Sequence, residues 1–154
     1  RFDFMPSEIA NYFVVFGVIG IVTSCWLNKI ISERLKTKTI CFLAVVFYVL
    51  SMSTLLISND SISFMLPFVG ISIFGVLGWI HTNNLFSQSV SAAEQGMIMG
   101  VSQSLWSLGG VIGSLLVGLI SALDYGFVVI LPVIFIFLSL LMALGMFARR
   151  ELRR

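Results

Sequence analysis

Five stretches of this chain contain no Asp, Glu, Lys or Arg: residues 9–28, 39–59, 61–93, 95–123 and 125–148. The shortest is 20 residues long. A helix needs about 20 mostly apolar residues to cross a hydrocarbon layer about 30 Å thick. Within lipid the backbone must satisfy its own hydrogen bonds, so runs of this length become helices. The roughly ten-residue alternation of a barrel strand is absent. The runs predict five spans, near 9–27, 40–57, 62–81, 97–121 and 126–148, in a single all-α membrane domain over 1–154. Composition agrees: 58% of residues are hydrophobic and 10% charged, where a soluble domain has about 25% charged. A soluble enzyme, a disordered chain and a nucleic-acid platform are all excluded by that balance.

The charges between the runs set an orientation. Lys29, Arg34, Lys36 and Lys38 follow the first span, and Arg149, Arg150, Arg153 and Arg154 follow the last. These are eight of the nine basic residues. Five crossings put both clusters on one side, which the positive-inside rule assigns to the cytoplasm. The turns at Asp60 and Asp124 then face outward. The expectation is a multi-pass protein of a bacterial inner membrane, N-terminus outside and C-terminus cytoplasmic. The chain opens on Arg1 without a basic leader and cleavage site, and reads as part of something longer.

Glycines predict which spans pack on protein. Helices in lipid associate where small residues let backbones approach. The second span has no glycine, and the fifth has Gly126 and Gly145 near its ends. The first has Gly17 and Gly20, the third Gly70, Gly75 and Gly78, and the fourth and its entry Gly96, Gly100, Gly109, Gly110, Gly113 and Gly118. Spans 1, 3 and 4 are therefore expected inside the bundle, and spans 2 and 5 at its edge. Gly96, Gly100, Gln103, Ser107, Gly110 and Ser114 recur at spacings of 4 and 3, a single helical face. Gly96, Gly100, Gly109, Gly110 and Gly113 are the helix-packing candidates.

In span 3, Pro67 is expected to kink or loosen the helix. His81, the single histidine, lies near the basic end and is either a polar cap at the interface or a proton site. Trp26 and Trp79 read as interface-belt residues, and Trp106 as a deeper packing or cavity residue. Cys25 and Cys41 read as soft packing residues. One His and two separated Cys make no metal site, and no nucleophile elbow, P-loop or dinucleotide fingerprint occurs. No metal and no cofactor is expected.

Residues 87–119, SQSVSAAEQGMIMGVSQSLWSLGGVIGSLLVGL, resemble the cytoplasmic loop and eleventh helix of drug- and sugar-type members of the major facilitator superfamily. The basic loop SERLKTKT, with Glu33-Arg34 before Lys36 and Lys38, is similar to that family's short acidic-Arg loop. The order of glycine-rich and glycine-poor spans also matches helices 8 to 12. The resemblance implies part of a C-terminal six-helix bundle, with helix 7 and the N-terminal half as the missing partner. It implies a secondary transporter moving a small organic solute, with substrate near the midplane and access alternating as the halves rock. The substrate-pathway candidates are then Tyr12, Phe16 and Thr23 on span 1, Phe74 and Gly78 on span 3, and Gln103, Trp106 and Ser107 on span 4. Glu33, Arg34 and Lys36 would gate the cytoplasmic side. Five helices enclose no such cavity, so the chain is not expected to transport alone. The rival expectation is a free-standing five-span scaffold or assembly protein.

Overall fold

The structure, a computed structural model, describes residues 5–58 and 61–121 together with Ile130 and Ile134. The described residues are helical throughout their regular segments. Four helices are long and apolar enough to cross a membrane: Pro6–Arg34, Thr37–Thr54, Met65–Gln88 and Gln95–Leu119. The expected fifth span, 126–148, falls outside the described residues apart from Ile130 and Ile134.

Helix α1 (Pro6–Val22) begins with Pro6 in the first turn, where its missing N–H costs nothing. The Met5 N–H donates to the Glu8 carboxylate at 2.8 Å, tying the chain to the helix start. A five-residue π-turn (Thr23–Leu27) follows, and α2 (Asn28–Arg34) continues the rod. The apolar run ends at Lys29 but the helix does not, because a charge ends hydropathy without breaking the backbone ladder. Two extended residues, Leu35 and Lys36, then reverse the chain into α3 (Thr37–Thr54). A short 3₁₀ turn (Leu55–Ile57) leads towards α4 (Ser61–Gln88), and α5 (Gln95–Ser121) runs back.

Pro67 is buried within α4, and the helix runs through it. Proline supplies no N–H to the carbonyl four residues earlier, that of Ser63. That carbonyl instead accepts from the Ser58 hydroxyl at 2.8 Å. Ser58 is 2% exposed, and its hydroxyl also reaches the Thr54 carbonyl at 3.0 Å. Serine side chains can re-satisfy backbone groups freed by proline in lipid. The expected loosening at Pro67 is therefore offset by a neighbour from the preceding turn.

The most extensive packing joins α3 and α4. A Cβ added to Gly70 would meet Ser51, with Ser51 Cβ only 3.1 Å away. One on Gly75 would meet the Tyr48 ring at 3.3 Å, and one on Gly78 the Ala44 methyl at 3.6 Å. Ala44, Tyr48 and Ser51 form one face of α3, spaced 4 and 3. The glycine-free second span, expected at the edge of the bundle, makes this packing with α4 all the same. A groove of glycines on one helix admits larger side chains from its neighbour, so the neighbour needs no glycine itself. The converse holds on α5. A Cβ at Gly96, Gly100, Gly109, Gly110 or Gly113 meets nothing within 4 Å. The close approach expected at these five glycines is thus not made among the described residues.

Candidate functional site

Three successive residues of α4 each bond a different helix. His81 Nε2 lies 3.0 Å from Asn28 Oδ1 of α2. Thr82 Oγ1 lies 3.1 Å from Cys41 Sγ of α3. The Ser102 hydroxyl of α5 donates to Asn83 Oδ1 at 3.5 Å. Successive helical residues point about 100° apart, so one turn reaches three neighbours around the rod. Helix α4 is therefore the hub, and this polar collar sits at the end of the bundle that carries the basic loop.

Asn28 reaches the collar because of the π-turn. Along the first rod, Phe16 stacks on Phe68 of α4 at 5.4 Å, and a Cβ on Gly20 would meet Val76 of α4 at 3.7 Å. Thr23 is 2% exposed. These positions advance by 4 and 3, and regular winding would next bring residue 26 or 27 to that side. The π-turn, closed by the Asn28 N–H donating to the Thr23 carbonyl, inserts the extra residue. Asn28 takes the inward place, and Trp26 is left 76% exposed.

His81 is 3% exposed, so it is packed against its neighbours. With Asn28 Oδ1 accepting, Nε2 carries the ring proton. Nδ1 is then a buried lone pair with no hydrogen-bond partner among the described residues. The Ser32 hydroxyl donates to the same Asn28 oxygen at 3.4 Å, linking the collar to the basic loop.

The other candidates fall into separate groups. Tyr12, Phe16 and Phe68 form an aromatic run along the seam of α1 and α4, with centroids 6.4 and 5.4 Å apart. Phe74 stacks on Phe47 of α3 at 5.0 Å, and Gly78 faces Ala44 of the same helix. These two look towards α3. Trp106 meets Trp79 at 4.7 Å with the rings tilted 55°, so the two tryptophans share one level. Gln103 and Ser107 are exposed on α5. The eight candidates do not converge on one pocket among the described residues.

Glu33, Arg34 and Lys36 are exposed around an open hollow of about 490 Å³, with Ser32, Leu35 and Thr37 completing its wall. The second loop at this end is held by Glu94. Its carboxylate accepts from the Ser91 hydroxyl at 2.6 Å and the Ser91 N–H at 3.2 Å. Those bonds hold the Glu94 carboxyl below its ordinary range. Sequence reasoning missed this, although Ser91-Ala92-Ala93-Glu94 is a legible capping box before α5. It also missed Asn28, Thr82 and Asn83. The signal for Thr82 and Asn83 was a polar cluster, His81 to Asn84, at the end of an apolar run, and Asn28 had only its place at the end of the first run.

No curated protein and no solved structure matches the chain. A family model described as Major Facilitator Superfamily matches residues 2–154. With four apolar helices among the described residues and almost the whole length matched, the chain belongs to the major facilitator superfamily, a family of membrane transporters.

Proposed function

We propose that the chain forms helices 8 to 12 of a secondary active transporter that moves a small organic solute by alternating access. Its partner is an N-terminal half, with helix 7, that closes the cavity. The basic loop lies on the cytoplasmic side of a bacterial inner membrane, by the positive-inside rule. The observation that carries the reading is the collar on α4. A rocking half must move as a body, and bonds from His81, Thr82 and Asn83 to three helices tie the chain into one.

Substrate contact falls to the α5 face bearing Gln103 and Ser107, with the Trp79–Trp106 pair as an aromatic wall. Phe74 and Gly78 support α3 packing and are given no substrate role. Glu33, Arg34 and Lys36 gate the cytoplasmic side when the halves close. His81 Nδ1 is the proton-accepting atom if a proton drives the cycle.

The test needs no known substrate. In membranes carrying the complete transporter, with Cys25 and Cys41 replaced by Ser, Gln103→Cys is offered to a membrane-impermeant maleimide from each face. Labelling from both faces is expected, because the position opens to each side in turn. Labelling from neither face overturns the reading and makes Gln103 a lipid or packing residue.

A further inference from the structure

The hollow in the basic loop shares Glu33, Arg34 and Lys36 with the gate proposed above, and its composition suits an occupant of its own. Its rim holds two cations, Arg34 and Lys36, two hydroxyls, Ser32 and Thr37, one carboxylate, Glu33, and one apolar side chain, Leu35. Among the described residues neither Arg34 nor Lys36 has a carboxylate within 4 Å. Leu35 is 41% exposed between them. The hollow, about 490 Å³, stands open to its surroundings, and the consecutive residues 32–37 form its wall.

Its height relative to the bilayer follows from helix length. The first rod, Pro6–Arg34, has 29 residues. At about 1.5 Å per residue it is roughly 43 Å long, against a hydrocarbon layer of about 30 Å. Its last turns therefore stand in the headgroup layer, and the hollow opens at the end of those turns. Residues 29–38 carry Lys29, Arg34, Lys36 and Lys38 against Glu33 alone. A guanidinium suits a phosphate by paired donors, an ammonium by point charge, and hydroxyls supply further donors. An exposed leucine between the cations suits the glycerol and first methylenes of a lipid.

We propose that this hollow is a binding site for the phosphodiester headgroup of an anionic phospholipid of the inner leaflet. Arg34 and Lys36 hold the phosphate, Ser32 and Thr37 donate to its oxygens, and Leu35 rests on the acyl-glycerol junction. Glu33 opposes the anion and keeps the site selective for lipids that the membrane surface concentrates.

The test is lipid retention by the purified chain in phosphatidylcholine nanodiscs doped with phosphatidylglycerol, read by native mass spectrometry. The double variant Arg34→Gln/Lys36→Gln is compared with Lys29→Gln/Lys38→Gln, which loses the same charge outside the hollow. Retention by the second falls by no more than about thirtyfold, the factor for two cations lost at a membrane surface, and retention by the first falls well beyond that. Glu33→Gln, which removes the anion from the rim, raises retention. Inorganic phosphate at tens of millimolar does not displace the lipid. Equal losses in the two double variants overturn the site and leave only net charge. So does unchanged retention in Arg34→Gln/Lys36→Gln, or in Glu33→Gln. Complete displacement by inorganic phosphate also overturns it, in favour of a site for soluble anions.

Discussion

The amide oxygen of Asn28 meets Nε2 of His81 at 3.0 Å across 53 residues of sequence. That bond fastens the end of the first rod to the hub helix, with His81 buried and Asn28 partly so. Asn28→Leu removes the acceptor and leaves the buried Nε2–H unpaired. The expected loss is about 1–2 kcal/mol, seen as a lower unfolding midpoint in detergent. His81→Leu in the Asn28→Leu background costs less than His81→Leu alone, because no partner remains to be orphaned. Additive losses show that the two side chains are not coupled.

The proline in α4 carries a second coupling. Ser58→Ala removes the donor to the Ser63 carbonyl and is expected to cost about 1–2 kcal/mol. In a Pro67→Ala background the helix supplies its own N–H to that carbonyl, so the same change costs much less. A double-mutant cycle by thermal unfolding measures the difference. An equal cost of Ser58→Ala in both backgrounds rules out the relay from proline to serine.

Two glycines of the same residue type are expected to behave oppositely. Gly70→Val drives a side chain into Ser51 of α3 and costs about 1–3 kcal/mol, with partial recovery on adding Ser51→Gly. Gly109→Ala meets nothing within 4 Å among the described residues, and the chain gains slightly from the better helix former. Unfolding of the purified chain separates them. Severe destabilisation by Gly109→Ala contradicts the open face described for α5.

Glu94 gives a pH dependence of known sign. Its carboxyl is held low by the Ser91 hydroxyl and N–H, so the folded loop favours the ionised form. The stabilisation is present above the ordinary carboxylate value and is lost as pH falls through the depressed one. Amide exchange in the first turn of α5 therefore departs from its intrinsic pH trend and speeds on acidification in that window. Glu94→Gln removes the effect. A variant with an unchanged pH profile assigns the fraying to another group.

How much of this was legible beforehand differs by level. The described apolar helices overlap the uncharged runs, because the cost of burying charge in lipid is read along the chain itself. The largest slips came where helix outlasted hydropathy: through Lys29 to Arg34 in the first rod, and past His81 to Gln88 in α4. A polar side chain at a bilayer surface ends an apolar run without ending a hydrogen-bonded ladder.

Residue order alone dictates lipid as the solvent, a helical backbone and the places where loops interrupt it. That Gly70, Gly75 and Gly78 receive α3, that Asn28 is the inward residue of the first rod, and that Ser58 serves the carbonyl freed by Pro67 emerges from packing. In water an apolar stripe marks the buried face, but lipid tails are as apolar as leucine. Hydropathy therefore separates membrane from solvent and does not separate protein from lipid. Inward faces are chosen by close approach and by hydrogen bonds between helices, and a single π-turn resets which residues make them.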